Sequence, residues 1–258
     1  LAMTIDEILL NEPLRLDEFP VARRSVYLAH AGVCPLPRRV QAALTAYAAH
    51  SAAGDQEEAV SPSFIAHVRQ AAARLIGAAP SEIAFVGPTS LALSFVAAGL
   101  PWRRGDNVLL YADDYPSNVY PWRALAAHGV EVRTLETDVL GRIVPDQVLA
   151  RVDDRTRLVA LASCHFVAGW RLDYQEIGRS LRERGIWFCL DGIQTLGAFP
   201  VNAQCVDFLA ADAHKWLLGP CAAGILYVRE ELQAQLAPVV FGWNNVRCPG
   251  FVAERELV

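Results

Sequence analysis

The chain has 258 residues, of which 53% are hydrophobic and 20% are charged, and its net charge is -5. A chain of this length can bury a substantial core, so the composition indicates a globular protein with one large domain and at most a small appendage. The slight negative charge offers no basic surface for a phosphate backbone, which argues against a nucleic-acid-binding protein.

The six cysteines occur singly, with no C-x-x-C pair and no histidine cluster at zinc spacing. They are Cys34, Cys164, Cys189, Cys205, Cys221 and Cys248. Isolated cysteines of this kind indicate a reducing compartment and small buried side chains rather than disulfides or a metal site. Cys248 is not assigned as a nucleophile, since nothing around it resembles a catalytic cysteine loop.

The first residues, "LAMTIDEILLNEPLRLDEFP", include early acidic side chains and lack the basic and apolar regions of a secretory signal. No uninterrupted apolar run approaches the roughly 20 residues of a membrane-spanning helix. We therefore expect a cytoplasmic protein with neither a membrane nor a nucleic acid as partner.

The N-terminal part begins with an extended segment, "SVYLAHAGVCPLP", and continues with two helical patterns. The helices are predicted over "RRVQAALTAYAAHSAA" and "SPSFIAHVRQAAARLIGA". In the second, Ser61 is a candidate N-cap, Pro62 suits the first turn, and Gly77 suits the end.

Short apolar runs then alternate with helix-length segments. The predicted strands are "EIAFVG", "NVLLYA", "VEVRTL", "RLVALAS", "IWFCLD", "VDFLAA" and "AAGILYV", and helical segments follow the first four, among them "TSLALSFVAAGL", "SNVYPWRALAAHG" and "DYQEIGRSLRERG". Strands this apolar suit a sheet that is covered on both faces, and the alternation of strand and helix predicts a mostly parallel one. We predict a three-layer α/β domain over residues 21–240, preceded by an N-terminal extension over residues 1–20.

Chemically distinctive residues follow three of these strands, at the sheet edge where parallel α/β proteins bind ligands. In "GPTSLALSF", Thr89 and Ser90 open a helix, whose free N–H groups could bind a phosphate or could simply be capped. In "DGIQTLG", Asp191 ends an apolar strand and needs a cation or an N–H group as partner, unless it caps a helix. Gln194 follows three residues later on the same turn.

Lys215, in "LAADAHKWLLGP", is a single cation in a segment that otherwise resembles core. Burial disfavours the ammonium form and favours the neutral amine that attacks carbonyl groups. A lysine whose ammonium group merely reaches solvent is the alternative for this residue taken alone. Together, a phosphate site, a strand-end carboxylate and a desolvated lysine are what pyridoxal phosphate requires: the lysine forms a Schiff base and the carboxylate keeps the pyridine nitrogen protonated.

The runs "VDFLAADAHKWLLGPCAAGILYV", "DGIQTLGAFPVN", "GPTSLALSF" and "DDYPSNVYPW" resemble the class V aminotransferase family, a group of pyridoxal-phosphate enzymes that includes cysteine desulfurases and isopenicillin-N-epimerase-like enzymes. The resemblance extends from about Tyr27 to about Asn245 and implies the fold-type I large domain. It implies that Lys215 is the Schiff-base lysine and that Asp191 is the partner of the pyridine nitrogen.

For the remaining cofactor contacts, the resemblance implies Thr89 and Ser90 at the phosphate, Gln194 at the ring hydroxyl, and His214 beside the phosphate or the lysine. Tyr115 falls where desulfurases have a histidine that stacks on the ring; a phenol can stack but cannot shuttle protons in the same way.

Asp212 and His165 also depart from the family pattern. Asp212 replaces a serine that many relatives have, and a carboxylate there would repel a phosphate unless it points away. His165 and Phe166 stand where relatives have a Ser-Asn pair, and His165 is either a ring or substrate neighbour or a core histidine bonded to the backbone.

These residues predict a pyridoxal-phosphate-dependent homodimeric enzyme that acts on an amino acid by lyase, transferase or epimerase chemistry, similar to a cysteine desulfurase. A degenerate, non-catalytic relative that serves as a scaffold is the alternative. The resemblance also implies a small C-terminal domain, and we expect residues 241–258 to be the start of the connection to a domain that this sequence lacks.

Overall fold

Seven strands form one sheet in the computed structural model, which describes residues 4–242 and residue 245. The strands are β1 (Ile83–Val86), β2 (Asn107–Tyr111), β3 (Glu131–Leu135), β4 (Thr156–Ala162), β5 (Trp187–Asp191), β6 (Phe208–Asp212) and β7 (Gly224–Val228). Each of the seven predicted strands is present, and the predicted α/β class with a mostly parallel sheet is confirmed.

The strand order is β1-β7-β6-β5-β4-β2-β3. Strands β2 to β6 run parallel to one another, whereas β7 is antiparallel to both of its neighbours, β1 and β6. Strand β1 therefore runs in the same direction as β6, and the two strands end at the same edge. Gly224 opens β7 between those ends, where a Cβ atom would lie 2.6 Å from the carbonyl oxygen of Gly87.

Nine α-helices accompany the sheet in the described part of the chain. They are α1 (Ile5–Leu10), α2 (Glu12–Glu18), α3 (Arg38–Ala53), α4 (Pro62–Ile76), α5 (Thr89–Gly99), α6 (Tyr120–Arg123), α7 (Pro145–Leu149), α8 (Tyr174–Glu183) and α9 (Glu230–Gln233). Ser61 caps α4 by accepting a hydrogen bond from the Phe64 N–H group, and Gly77 ends this helix with a left-handed backbone, as predicted.

The predicted helix over "SNVYPWRALAAHG" is broken into three short pieces. A 3-10 turn at Pro116–Asn118 precedes α6, and a second one at Ala124–His128 follows it. Pro116 and Pro121 lack the N–H group that a continuous helix needs. The prediction of one helix in this segment was therefore wrong.

Two apolar cores lie on opposite faces of the sheet. Side chains of α4, α7 and α8 pack on one face. Side chains of α5, α6 and α9 pack on the other. Along β4, Val159 and Leu161 face the first core, and Leu158 and Ala160 face the second. This is the three-layer arrangement that apolar strands without in-out alternation indicate.

The segment before the sheet lies largely on the surface. In α3, none of the 16 residues is buried, although the helix includes Leu44 and Tyr47. Helix α2 is joined to α3 by an ion pair between Glu18 and Arg39. No helix in residues 4–242 is both long enough and apolar enough to cross a membrane.

The domain boundaries at residues 20/21 and 240/241 stay predictions. Most of the predicted connecting segment, residues 241–258, lies outside the described residues, and Cys248 is among those.

Candidate functional site

A cavity of about 550 Å³ opens at the carboxyl ends of the parallel strands. Its wall includes residues from loops after β1, β2, β4, β5 and β6 and from the extended N-terminal segment. The lining residues are Ala31, Gly32, Val33, Pro88, Thr89, Ser90, Tyr115, Ser117, Phe166, Asp191, Ile193, His214 and Lys215. The structure thus brings together six of the predicted site residues: Thr89, Ser90, Tyr115, Asp191, His214 and Lys215.

Lys215 lies in the loop after β6 and is 7% exposed. Burial lowers the pKa of its ammonium group, although the negative charges of Asp191 and Asp212 oppose this shift. Its Nζ atom lies 5.3 Å from the centre of the Tyr115 ring. In the 258 residues there is no other lysine. Lys215 is therefore the chain's single side-chain primary amine, and its burial at the cavity favours the neutral form.

Asp191 is the last residue of β5 and is 2% exposed. Its Oδ1 atom accepts a hydrogen bond of 3.0 Å from the Ile193 N–H group, and its Oδ2 atom accepts none from the described residues. Burial and, secondarily, the charge of Asp114 raise the pKa of Asp191 to about 7, against the opposing effects of Ile193 N–H and Lys215. The carboxyl group is thus poised to hold or to accept a proton near neutral pH.

Asp114 is a second buried carboxylate, which the sequence reasoning did not single out. It accepts hydrogen bonds from the N–H groups of Tyr115 and Ala162 and from Nδ2 of Asn118. Burial raises its pKa in spite of these bonds. Asp114 comes soon after β2, and Asp191 comes at the end of β5. This similar position in the sequence could have marked Asp114 as a candidate site residue.

Thr89 and Ser90 form the first turn of α5, where Pro88 is the N-cap and makes no side-chain capping bond. The N–H groups of this turn precede the intrahelical hydrogen bonds and can bind an anion. The Thr89 Oγ1 atom accepts a 3.0 Å hydrogen bond from the Asp212 N–H group and so joins the ends of β1 and β6. Neither Thr89 nor Ser90 is the N-cap of α5, so the alternative that these residues simply cap the helix is wrong.

Asp212 and His214 form a hydrogen-bonded pair beneath the Lys215 loop. The Asp212 Oδ2 atom lies 2.8 Å from Nδ1 of His214 and accepts a second bond from the Ala222 N–H group. Its Oδ1 atom accepts a 2.7 Å bond from the Ala213 N–H group. Asp212 does not line the cavity, whereas His214 does.

Gln194 and His165 lie behind the cavity wall and are both 6% exposed. Gln194 donates to the carbonyl oxygen of Ala31 and accepts from Nε1 of Trp216, each at 3.0 Å. His165 Nδ1 accepts a bond from the Ala168 N–H group, and its Nε2 lies 3.0 Å from the Asp113 carbonyl oxygen. These are the contacts of a core histidine satisfied by the backbone.

Phe166, the residue after His165, lies at the cavity wall. Its ring makes an edge-to-face contact with Tyr115, with centroids 5.2 Å apart. The sequence reasoning did not assign Phe166, Ser117 or Val33 to the site. Their exposure to the cavity depends on loop conformation rather than on residue type.

Comparisons with known proteins show the family of the chain. The sequence model of the family described as aminotransferase class-V matches residues 26–257. A probable cysteine desulfurase of Methanothermobacter thermautotrophicus is 34% identical over 243 residues, which are 92% of this chain and 60% of that protein. The isopenicillin N epimerase of Streptomyces clavuligerus is 29% identical over 217 residues, which are 81% of this chain and 54% of the epimerase.

A solved structure shows the same fold. The apo structure of a cysteine desulfurase from Thermococcus onnurineus NA1 matches with a TM-score of 0.83 at 26% identity, over 95% of this chain and 62% of that chain. The chain therefore spans about 60% of the length of the relatives that it matches.

Proposed function

Because the chain belongs to the class V aminotransferase family, we propose that it is a pyridoxal-5'-phosphate-dependent enzyme that acts on an amino acid. The reaction type is lyase, transferase or epimerase chemistry, similar to that of a cysteine desulfurase. The observation that carries the proposal is the buried amine of Lys215 in one cavity with the buried carboxyl group of Asp191.

The residues present fit pyridoxal phosphate at three of its polar groups, the aldehyde, the pyridine nitrogen and the phosphate. Lys215 is the amine that would hold its aldehyde carbon as a Schiff base. Asp191, with one oxygen that accepts no bond from the described residues, suits the protonated pyridine nitrogen. The free N–H groups at the start of α5, with Ser90 and His214, suit the phosphate.

The aromatic side chains of the cavity fit the flat part of the same molecule. Tyr115 and Phe166 present apolar ring surfaces to the cavity, and Tyr115 is 44% exposed. A ring that stacks on Tyr115 would also lie near Lys215 Nζ. Contacts of Gln194 with a ring hydroxyl, and of His165 with the ring or the substrate, stay predictions.

When bound, pyridoxal phosphate supplies an electron-withdrawing ring that stabilises negative charge on the α-carbon of an amino acid. The chain's own residues supply the proton transfers and the binding. Asp191 would bind the pyridine nitrogen and keep a proton there. Lys215, whose pKa is lowered by burial, can accept a proton from that carbon at Nζ when its amine is free.

The proposal is tested by adding pyridoxal phosphate to the purified protein, reducing the complex with borohydride, and mapping the modified peptide. We expect a visible absorption band and a label on Lys215. Because the chain has no other lysine, only the terminal amine competes with Lys215 for the label. Lys215→Arg keeps the positive charge but cannot form the bond, so this variant should show no band.

Two outcomes would contradict the proposal. A band that persists in the Lys215→Arg protein would mean that another amine reacts. A folded wild-type protein that gives no band would favour the alternative of a non-catalytic scaffold.

We also propose that the protein is a homodimer in a cytoplasmic, reducing environment. The exposed Leu44 and Tyr47 on α3, a helix without a buried residue, support a partner surface. The described cysteines are all free, in keeping with such an environment.

A further inference from the structure

Asp212 does not line the cavity, but it lies close in the chain to His214 and Lys215, which do. His214 is a candidate ligand of an anion, and Lys215 is the amine that could react with an aldehyde. We propose that Asp212 is a positioning residue that acts through His214, orienting its ring so that Nε2 binds a phosphate group in the cavity. This inference rests on the proposed function, and it assigns a role to the aspartate that replaces the serine of many relatives.

The first support is the complete set of bonds around the carboxylate. The Asp212 side chain is 2% exposed, and its two oxygens accept three hydrogen bonds, from Ala213 N–H, His214 Nδ1 and Ala222 N–H. Asp212 is also not among the residues that line the cavity. The repulsion between Asp212 and a phosphate, which the sequence raised as a problem, is thereby reduced.

The second support is the remaining nitrogen of His214. The imidazole is 21% exposed and lines the cavity, and its Nε2 atom has no hydrogen-bond partner among the described residues. Since Nδ1 faces a carboxylate, it carries a hydrogen. The ring can then donate from Nε2 only as the imidazolium, and Asp212 is the counter-ion for that form.

The charge balance of the pair favours an anionic ligand. When the His214 ring is protonated, it forms with Asp212, at 2.8 Å, an ion pair whose N–H donor faces the cavity. A phosphate group therefore meets a charged N–H donor and the first turn of α5 together.

Asp212 also fixes the loop on which His214 and Lys215 lie. It binds the N–H groups at both ends of this loop, at Ala213 and Ala222. Within the loop, Leu218 and Ala222 have left-handed backbone angles, with φ of 57° and 65°, which cost non-glycine residues energy. The bond from Ala222 N–H to Asp212 helps to hold this conformation.

The test compares two ligands, pyridoxal phosphate and pyridoxal, which differ only in the phosphate group. In Asp212→Asn, one oxygen can still accept from His214 Nδ1, but the negative charge that stabilises the imidazolium is removed. We expect the ratio of the two affinities to fall about tenfold, through weaker binding of pyridoxal phosphate, while the affinity for pyridoxal changes little. Any effect on Lys215 acts on both ligands and leaves the ratio unchanged.

A second measurement reads the protonation of the His214 ring in the wild-type protein. In protein labelled with ¹⁵N-histidine, nitrogen chemical shifts report which ring atoms carry hydrogens. We expect His214 Nδ1 to carry one without ligand, and Nε2 to carry one as well when inorganic phosphate is added. The signal is assigned by its loss in His214→Gln.

The outcomes separate this inference from the proposed function. Equal affinity ratios in wild-type and Asp212→Asn protein, or a His214 ring with Nδ1 unprotonated in the wild type, would overturn the role of Asp212 while the cofactor site stands. Failure of both ligands to bind the wild-type protein would overturn the proposed function itself.

Discussion

At the scale of single residues, Asp191 carries the clearest consequence for stability. Burial and the charge of Asp114 raise its pKa from the ordinary value of 3.8 to about 7. Between these values, the folded protein without cofactor keeps a proton that the unfolded chain has released. The contribution of Asp191 to the free energy of unfolding therefore decreases as pH rises from about 4 to 7, by up to about 1.4 kcal/mol per pH unit.

Asp191→Asn should remove this contribution. We expect the variant to lose less stability than the wild type between pH 5 and pH 7, as measured by urea unfolding of cofactor-free protein. Asp113→Asn is the matched control, because Asp113 is an exposed carboxylate near the same edge of the sheet. If the free energy of unfolding of Asp191→Asn has the same pH slope as that of the wild type, the conclusion that the pKa of Asp191 is raised is wrong.

Residue patterns predicted which side chains could carry chemistry better than they predicted their contacts. Lys215, Asp191 and Thr89 follow strands, and the sheet brings their loops to one cavity. The partners of Gln194, by contrast, are Ala31 and Trp216, which are 163 and 22 positions away. Such bonds depend on how loops from separate parts of the chain pack, and no local pattern encodes that.

At the scale of elements, the packing of α8 depends on a glycine. A Cβ atom at Gly178 would lie 1.8 Å from the carbonyl oxygen of Cys205, which is backbone and cannot move aside alone. We expect Gly178→Ala to destabilise the protein by about 2 kcal/mol or more, because α8 must shift away from the Cys205 segment. Urea unfolding measures the change in the free energy of unfolding.

The control for this substitution is Arg179→Ala on the same helix. Arg179 is exposed, so the same new residue should change stability by less than about 0.5 kcal/mol. A Gly178→Ala protein as stable as Arg179→Ala would show that α8 does not lie as close to the Cys205 segment as described.

The sequence predicted the strands and helices correctly where apolar runs marked a buried strand or where capping residues marked the ends of a helix. The apolar runs predicted all seven strands, and Ser61 with Gly77 marked the ends of α4. The sequence did not reveal that β7 runs antiparallel, because its apolar run "GILYV" suits either direction. The direction is set by the short connection from β6, which leaves no room for a crossover helix.

At the scale of the whole molecule, the uncovered face of α3 predicts association. Leu44 and Tyr47 are 42% and 43% exposed on a helix with no buried residue. Light scattering on the purified protein should give the mass of a homodimer. Leu44→Gln should shift the equilibrium towards the monomer, because it places an amide in an apolar contact.

Leu140→Gln is the control for this experiment. Leu140 is exposed to a similar extent, 48%, and lies in the loop between β3 and α7. An unchanged dimer in Leu44→Gln protein would place the contact surface elsewhere, and a monomeric wild type would contradict the association.

The position of β7 has a consequence for how the protein is made. This strand is inserted between β1 and β6, although about 140 residues separate it from β1. During synthesis the earlier strands leave the ribosome before their neighbour exists, so β1 has no partner in the sheet until Gly224 and the residues after it emerge. We expect a nascent chain to gain affinity for pyridoxal phosphate only after β7 has cleared the ribosome, so ligand binding would report the last pairing of the sheet.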